Sequence, residues 1–162
     1  MDSAFLTVVE KIASKLIANN FKLCIAESCS GGYLSNTITD FPGSSRFFDL
    51  SVVSYSQRAK TSVLGVDYSV IKKHGMVSEE TAVAMAVAVA ELGGSDVSLS
   101  ITGVAGPELM EGKPVGLVYT AVSVRGRTGA RCMQFSGSRE EIKRSASFEA
   151  LIFLNGMLDA WL

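Results

Sequence analysis

A serine that follows a short apolar run is the first candidate for a nucleophile in this sequence. Residues 23–26 predict a buried strand, and Glu27 and Ser28 end the run ahead of the pair Gly31-Gly32. Residues 33–41 then carry apolar side chains at helical spacing, so we expect Ser28 on a turn from the strand into a helix. The free amides of a helix start can stabilise a developing oxyanion, and glycines let a ligand approach the backbone. The alternative is that the serines only cap the helix, and this stretch by itself favours neither interpretation.

Three other side chains offer alternative chemistry. Cys29 is a better nucleophile than Ser28 when it is ionised, but no cation is more obviously placed to ionise it, so we expect a small buried side chain. His74 is the single histidine and an alternative general base, with packing in a loop as its more ordinary role. Glu27 is either catalytic or a carboxylate that fixes the turn by accepting hydrogen bonds.

Size and composition limit the classes of protein to consider. The 162 residues are 48% hydrophobic and 19% charged, which predicts one globular domain over residues 1–162. A net charge of -1 without a basic block argues against nucleic-acid binding. The start of the chain lacks the basic segment of a signal peptide, and the longest apolar run, residues 82–90, is too short to cross a membrane. The cysteines, at 24, 29 and 132, have no zinc-binding spacing, so we expect reduced thiols in a cytoplasmic protein without a metal site.

The elements that must position Ser28 alternate between helix and strand along most of the chain. The predicted strands are residues 23–26, 50–55, 96–102, 115–124 and 130–135. The predicted helices are residues 3–19, 33–41, 56–64, 67–73, 78–93 and 138–158. This order predicts an α/β fold with a largely parallel sheet and helices on both faces, and the final hairpin makes the sheet mixed.

Two consequences follow from this arrangement. Ligands bind at the carboxyl ends of parallel strands, and three segments are predicted there: the Ser28 turn, residues 55–60 and the small-residue loop 103–107. Their convergence strengthens the prediction that Ser28 is functional. The helix that contains residues 82–90 is apolar all round, so we expect it to be buried, in part against another subunit of a homo-oligomer.

Six motifs, in order, resemble those of the CinA C-terminal domain family, the nicotinamide-nucleotide amidase (PncC-like) family. The resemblance covers residues 5–158, nearly the whole chain. The motifs are Ala-Glu-Ser-Cys-Ser-Gly-Gly at 26–32, Pro-Gly-Ser-Ser at 42–45, Tyr-Ser-Gln-Arg-Ala-Lys at 55–60, His-Gly-Met-Val-Ser-Glu-Glu at 74–80, Gly-Val-Ala-Gly-Pro at 103–107 and Lys-Pro-Val-Gly at 113–116.

The resemblance implies a fold and a reaction. The fold is a three-layer α/β/α sandwich. The reaction is hydrolysis of the carboxamide of nicotinamide mononucleotide to nicotinate mononucleotide and ammonia, in pyridine-nucleotide recycling, without metal or organic cofactor. Ser28 matches the family's nucleophile, and Tyr55 and Lys60 match its catalytic tyrosine and lysine. A lysine with a lowered pKa is a suitable base for a serine when histidine is scarce, and Tyr55 would relay the proton or orient Lys60.

The same resemblance suggests how a pyridine mononucleotide, the expected small-molecule partner, would be held. The expected oxyanion and substrate-binding residues are Ser30, Gly31, Gly32, Gly103, Ala105 and Gly106. A nucleotide phosphate needs a cation or a helix start, and the candidate cations are Arg144 and Arg46.

Departures from the family pattern leave a second hypothesis open. Ser30 replaces the usual threonine, and the loop at 108–112, Glu-Leu-Met-Glu-Gly, is shorter than in many members. The alternative is therefore a non-catalytic nucleotide-binding or interaction protein of the same fold, of the competence or damage-inducible type. Some family members carry an N-terminal pyrophosphatase domain, for which 162 residues leave no room, so we expect that activity to be absent.

Overall fold

The computed structural model of the protein describes residues 3–162, and it consists of a five-stranded sheet with five α-helices. The strands are β1 (Leu23–Glu27), β2 (Phe48–Val53), β3 (Val97–Gly103), β4 (Leu117–Val124) and β5 (Arg127–Gln134). The helices are α1 (Ser3–Ala18), α2 (Tyr33–Thr39), α3 (Tyr68–His74), α4 (Glu79–Gly93) and α5 (Arg139–Trp161).

The sheet is mixed and mostly parallel, as predicted. Its order is β2-β1-β3-β4-β5, and β1 runs parallel to both of its neighbours. Strand β4 is antiparallel to β3 and to β5, so four of the five strands point the same way. In register, Glu27 at the carboxyl end of β1 lies opposite Val53 and Ile101. The loops that follow β1, β2 and β3 therefore meet at one edge of the sheet.

Helices cover both faces of the sheet, which confirms the three-layer α/β/α sandwich. Every residue of β1 is buried, and because side chains alternate along a strand, the two faces enter different cores. Leu23 and Ile25 pack in the larger core with α1, α2 and α5. Cys24 and Ala26 pack in a second core with α3 and α4.

Helix α4 differs in part from the prediction of a helix buried all round. Ser78 caps it by accepting from the Thr81 amide, as its sequence suggests. The buried side of α4, with the half-buried Val83, packs against the sheet, while Val87 is half-buried in a groove beside α3. The sheet thus accounts for one face of this helix, and the homo-oligomer stays a prediction.

Strands β2 and β5 differ in their bounds from those predicted. Strand β2 begins at Phe48 and ends at Val53, so Tyr55 lies beyond it and is 57% exposed. The last hairpin turns at Arg125 and Gly126, which both have positive φ, and pairing begins at once with Arg127. The first residues of β5 are polar and exposed on an edge strand, so they carry none of the apolar signal that marks a strand in sequence.

Within residues 3–162, no helix is both long and apolar enough to span a bilayer. The same residues contain no cluster of three or more side chains suited to binding a metal ion.

Candidate active site

Ser28 and Lys60 form a buried pair at the carboxyl edge of the sheet. The Lys60 Nζ donates a hydrogen bond of 2.7 Å to the Ser28 Oγ and a second of 2.6 Å to the Ser54 carbonyl oxygen. Ser28 is 7% exposed and Lys60 only 1% exposed. A buried lysine on a serine hydroxyl is the arrangement that a serine–lysine hydrolase needs, with the amine as the base for the hydroxyl.

A π-helical turn at Ala59–Val63 carries Lys60 into the site. The Leu64 amide donates to the Ala59 carbonyl across five residues, and the Val66 amide reaches back to the Lys60 carbonyl. Such wide turns are rare and are frequently found at functional sites. The short helix begins where it was predicted, because the Ser56 Oγ accepts from the Ala59 amide.

The environment of Lys60 favours a neutral amine. Burial lowers the pKa of Lys60 to about 8, since desolvation disfavours the charged form, while Cys29 and Glu111 act in the opposite direction. A lysine that loses its proton near pH 8 can then accept the proton of a serine.

The turn that presents Ser28 is held by Glu27, which is fully buried. Its carboxylate accepts hydrogen bonds from the Ser30 Oγ at 2.6 Å and from three amides at the start of α2, those of Gly32, Leu34 and Ser35, at 3.0, 3.2 and 2.8 Å. It also contacts the Ser35 Oγ. A carboxylate at the start of a helix satisfies the free amides there and suits the helix dipole. Of the two roles considered for Glu27, the structure shows that of fixing the turn.

The predicted oxyanion donors are mostly engaged elsewhere. The Gly31 amide donates to the Ser28 carbonyl at 3.1 Å, and the Gly32 amide donates to Glu27. The Ser30 hydroxyl also points to Glu27. The amides of Gly31 and Gly32 are therefore not free to hold an oxyanion beside Ser28 in this structure.

A cavity of about 390 Å³ opens beside the Ser28–Lys60 pair, a size that suits a small organic ligand. Three predicted substrate-binding residues, Gly103, Ala105 and Gly106, line it, together with Tyr55. The other walls come from Met76 and Val77, from other residues between 102 and 110, and from Arg139. Ser30, Gly31 and Gly32 do not border this cavity.

Tyr55 lines the cavity but is held by a residue that the sequence did not suggest. Its phenol oxygen accepts a hydrogen bond of 2.7 Å from Arg139 Nη2. Arg139 Nη1 also donates to the Gly106 carbonyl, so one guanidinium joins the loops after β2 and β3. Lys60 is oriented by Ser28 and the Ser54 carbonyl, which gives Tyr55 no direct part in orienting the amine in this structure.

Neither predicted phosphate-binding arginine borders the cavity. Arg144 lies over the ring of Phe5, 5.5 Å from its centroid, on another side of α5. Arg46 lies beside the groove at Pro42 and Gly43. The arginine that lines the cavity is Arg139, the first residue of α5 after the cap Ser138. A helix was predicted to begin at Ser138, and the structure shows a capping box there, but the position of this helix start over the site depends on the packing of α5.

The remaining alternatives have structural roles. Burial raises the pKa of Cys29 to about 12, so its thiol stays protonated, and the nearby positive charge of Lys60 only partly opposes this. The His74 Nδ1 lies 3.2 Å from the Glu80 carboxylate, in the groove between α3 and α4 and outside the cavity.

Comparison with known proteins supports this fold. A family model described as the CinA C-terminal domain matches residues 6–158. The CinA-like protein of Geotalea uraniireducens is 42% identical over 153 residues, which are 94% of this chain and 36% of that protein. The CinA-like protein of Desulfotalea psychrophila is 42% identical over 94% of this chain and 37% of its own length. The chain thus spans a little more than a third of the curated relatives that it matches.

Solved structures agree over nearly the whole fold. The competence damage-inducible protein A (ComA) of Klebsiella pneumoniae superposes with a TM-score of 0.94 at 34% identity, over 98% of this chain and 99% of that one. A competence-damaged protein (CinA) superfamily protein of Escherichia coli gives 0.91 at 30% identity, over 98% and 92% of the two chains.

Proposed function

Because this chain belongs to the CinA C-terminal domain family, we propose that it is an amidase that hydrolyses nicotinamide mononucleotide to nicotinate mononucleotide and ammonia. The observation that carries the proposal is the 2.7 Å hydrogen bond between Lys60 Nζ and Ser28 Oγ inside the fold. Burying a lysine lowers the stability of a fold, so a deeply buried lysine indicates a functional requirement. Here the burial also lowers the pKa of the lysine toward the value that a general base needs.

The reaction follows from these positions. Neutral Lys60 accepts the Ser28 proton across the 2.7 Å contact as the serine oxygen attacks the carboxamide carbon, which reverses the hydrogen bond that the amine donates in the structure. The Ser54 carbonyl keeps one N–H of the amine. Backbone amides of the turn that carries Ser28 stabilise the oxyanion. Lys60 passes the proton to the departing nitrogen, which leaves as ammonia. Water then attacks the acyl-enzyme ester, with Lys60 again as the base, and releases the carboxylic acid and Ser28.

The cavity provides for the rest of a mononucleotide. Its apolar side chains suit a pyridine ring, and Arg139 supplies a cation for the phosphate. A guanidinium has five N–H donors, so donors remain beyond those bound to Tyr55 and Gly106. Arg139 therefore takes the phosphate-binding role first assigned to Arg144 and Arg46.

The direct test is ammonia release from nicotinamide mononucleotide. We expect turnover by the wild type and a fall of about a thousandfold or more in Ser28→Ala, because the acyl-enzyme cannot form. The wild-type kcat/KM should rise with pH up to about 8 and level off above it, as Lys60 loses its proton. Cys29→Ala serves as the matched control and should retain the activity.

Other outcomes would redirect the assignment. Turnover that survives Ser28→Ala would exclude the serine mechanism. A folded wild type that binds the mononucleotide without releasing ammonia would favour the non-catalytic nucleotide-binding alternative.

A further inference from the structure

A small β-hairpin at residues 108–113 forms one wall of the cavity. Met110 and Lys113 pair through both backbone hydrogen bonds, at 2.8 and 3.3 Å. The turn between them is Glu111-Gly112, and both residues have positive φ, 53° and 71°. The left-handed conformation is unfavourable for a glutamate, so contacts made by its side chain must offset the strain.

Those contacts fasten the tip of the 108–113 hairpin to the segment ahead of α4. The Glu111 carboxylate accepts from the amides of Met76 at 2.8 Å and Val77 at 3.2 Å. Lys113 Nζ donates to the carbonyl oxygens of Val77 and His74. Burial opposes ionisation of Glu111, yet the two amides and the Lys113 charge together hold its pKa below the usual value.

Gly75 lies so close to the tip of the 108–113 hairpin that it has no room for a side chain. A Cβ on Gly75 would lie 2.5 Å from the Glu111 carboxylate, and Gly75 itself has a positive φ of 85°. Both segments also border the cavity, through Met76 and Val77 on one side and the hairpin on the other. The glutamate therefore fixes the width of the cavity at this wall.

The hairpin presents two large apolar side chains to the cavity. Leu109 is 66% exposed and Met110 is 43% exposed, and both line the cavity. Covering exposed apolar side chains beside a concave site with a ligand removes apolar surface from water and contributes favourably to the binding free energy. A flat ring offers the matching surface, and a thioether makes favourable contacts with aromatic rings.

We propose that the 108–113 hairpin is the specificity element of the site, in which Leu109 and Met110 cover a flat aromatic ring and Glu111 positions them. The inference rests on the proposed function for the identity of the substrate, an aromatic carboxamide carried on a nucleotide. It assigns recognition of the ring to the segment in which this chain departs from the family pattern.

The test measures binding separately from turnover. Nicotinamide mononucleotide is titrated calorimetrically into Ser28→Ala, with and without the added pair Leu109→Ser and Met110→Ser. We expect the pair to weaken binding about tenfold through loss of apolar contact. Leu92→Ser is the matched control, since Leu92 is 53% exposed at the end of α4 and is not part of the cavity wall. It should leave binding unchanged.

The positioning role of Glu111 needs its own readout. Glu111→Ala should weaken binding in the same direction and speed hydrogen exchange at the Met76 and Val77 amides, whereas Glu111→Gln, which keeps an acceptor oxygen, should restore part of both. Unchanged amide exchange in Glu111→Ala would show that the glutamate does not hold the hairpin.

The outcomes separate the two proposals. Binding that weakens as expected while the wild type releases no ammonia would reject the amidase and keep the hairpin. Ammonia release with unchanged binding in the Leu109 and Met110 variant would keep the amidase and reject the hairpin. No binding of the mononucleotide at all would reject both.

Discussion

Lys60 is the base of the proposed reaction, and its burial lowers the free energy of unfolding. Its pKa is about 8 in the folded protein and 10.5 in the unfolded chain, a difference that corresponds to about 3 kcal/mol against folding when the amine is charged. Lys60→Met removes that charge with similar side-chain volume, and loses hydrogen bonds to Ser28 and Ser54 valued at about 1–2 kcal/mol. We expect the variant to be inactive and more stable by about 1–2 kcal/mol at pH 6, measured by urea unfolding.

The pH dependence of that gain gives its control. Between pH 8 and 10.5 the unfolded chain keeps a proton that the folded chain has lost, so wild-type stability rises with pH in this window. The advantage of Lys60→Met should therefore shrink from pH 8 upward. A gain that is the same at pH 6 and pH 10 would contradict the assigned pKa.

Sequence reasoning was most successful for single residues whose role is local. Ser28 was placed on the turn after β1, and helices were predicted to begin at Ser56, Ser78 and Ser138, which cap them in the structure, because a helix start depends mainly on its own neighbours. The depth of Lys60 was different. In sequence it is a polar residue on a short helix, and only the π-helical turn and the packing of β2 against β1 place it on Ser28.

Among the elements, the turn between β1 and α2 depends on one carboxylate. Glu27→Gln would place an amide N–H₂ group among groups that all donate, the Ser30 hydroxyl and the amides of Gly32, Leu34 and Ser35. We expect a loss of about 1–3 kcal/mol in unfolding free energy, together with lower kcat, since Ser28 loses its support. Denaturant unfolding and ammonia release measure the two effects.

Glu10→Gln is the control for this substitution. Glu10 is an exposed acid on α1, so the same chemical change should leave stability within about 0.5 kcal/mol. Equal effects in the two variants would mean that the Glu27 carboxylate does not hold the turn.

At the scale of the whole molecule, Gly116 connects the loop after β3, which lines the cavity, to the end of the edge strand β5. Its amide donates to the Val104 carbonyl, and its carbonyl accepts from the Phe135 amide. With φ at 90°, a Cβ on Gly116 would lie 1.8 Å from the Phe135 carbonyl oxygen. Gly116→Ala should therefore cost more than about 3 kcal/mol and lower Tm by about 10 °C in a thermal scan.

Gly65→Ala is the control that separates the backbone strain of a positive φ from the steric clash of the added methyl group. Gly65 has nearly the same φ, 89°, with nothing within 4 Å of the added methyl, so we expect a loss of only about 1 kcal/mol. If the two variants unfolded at the same temperature, the close contact at Gly116 would be excluded as the cause.

At the scale of the whole molecule, the sequence predicted the fold class but not the contacts between residues far apart in the chain. The alternation of strands and helices predicted the layers and the mixed sheet, since the spacing of apolar residues distinguishes each helix from each strand. The bond from Arg139 to Tyr55 joins residues 84 apart, and it exists only because α5 begins over the ends of β2 and β3. Arg144 and Arg46 carry the same charge as Arg139, so residue type alone did not distinguish them.

The placement of the site along the chain has a consequence for how such proteins can diverge. Ser28 and Lys60 both come from the first part of the chain, 32 residues apart, whereas most of the cavity wall comes from residues 76–77, 102–110 and 139. A duplicated gene can accumulate changes in the codons for the second group while those for the first stay intact. New substrate preferences can therefore arise around the same serine and lysine.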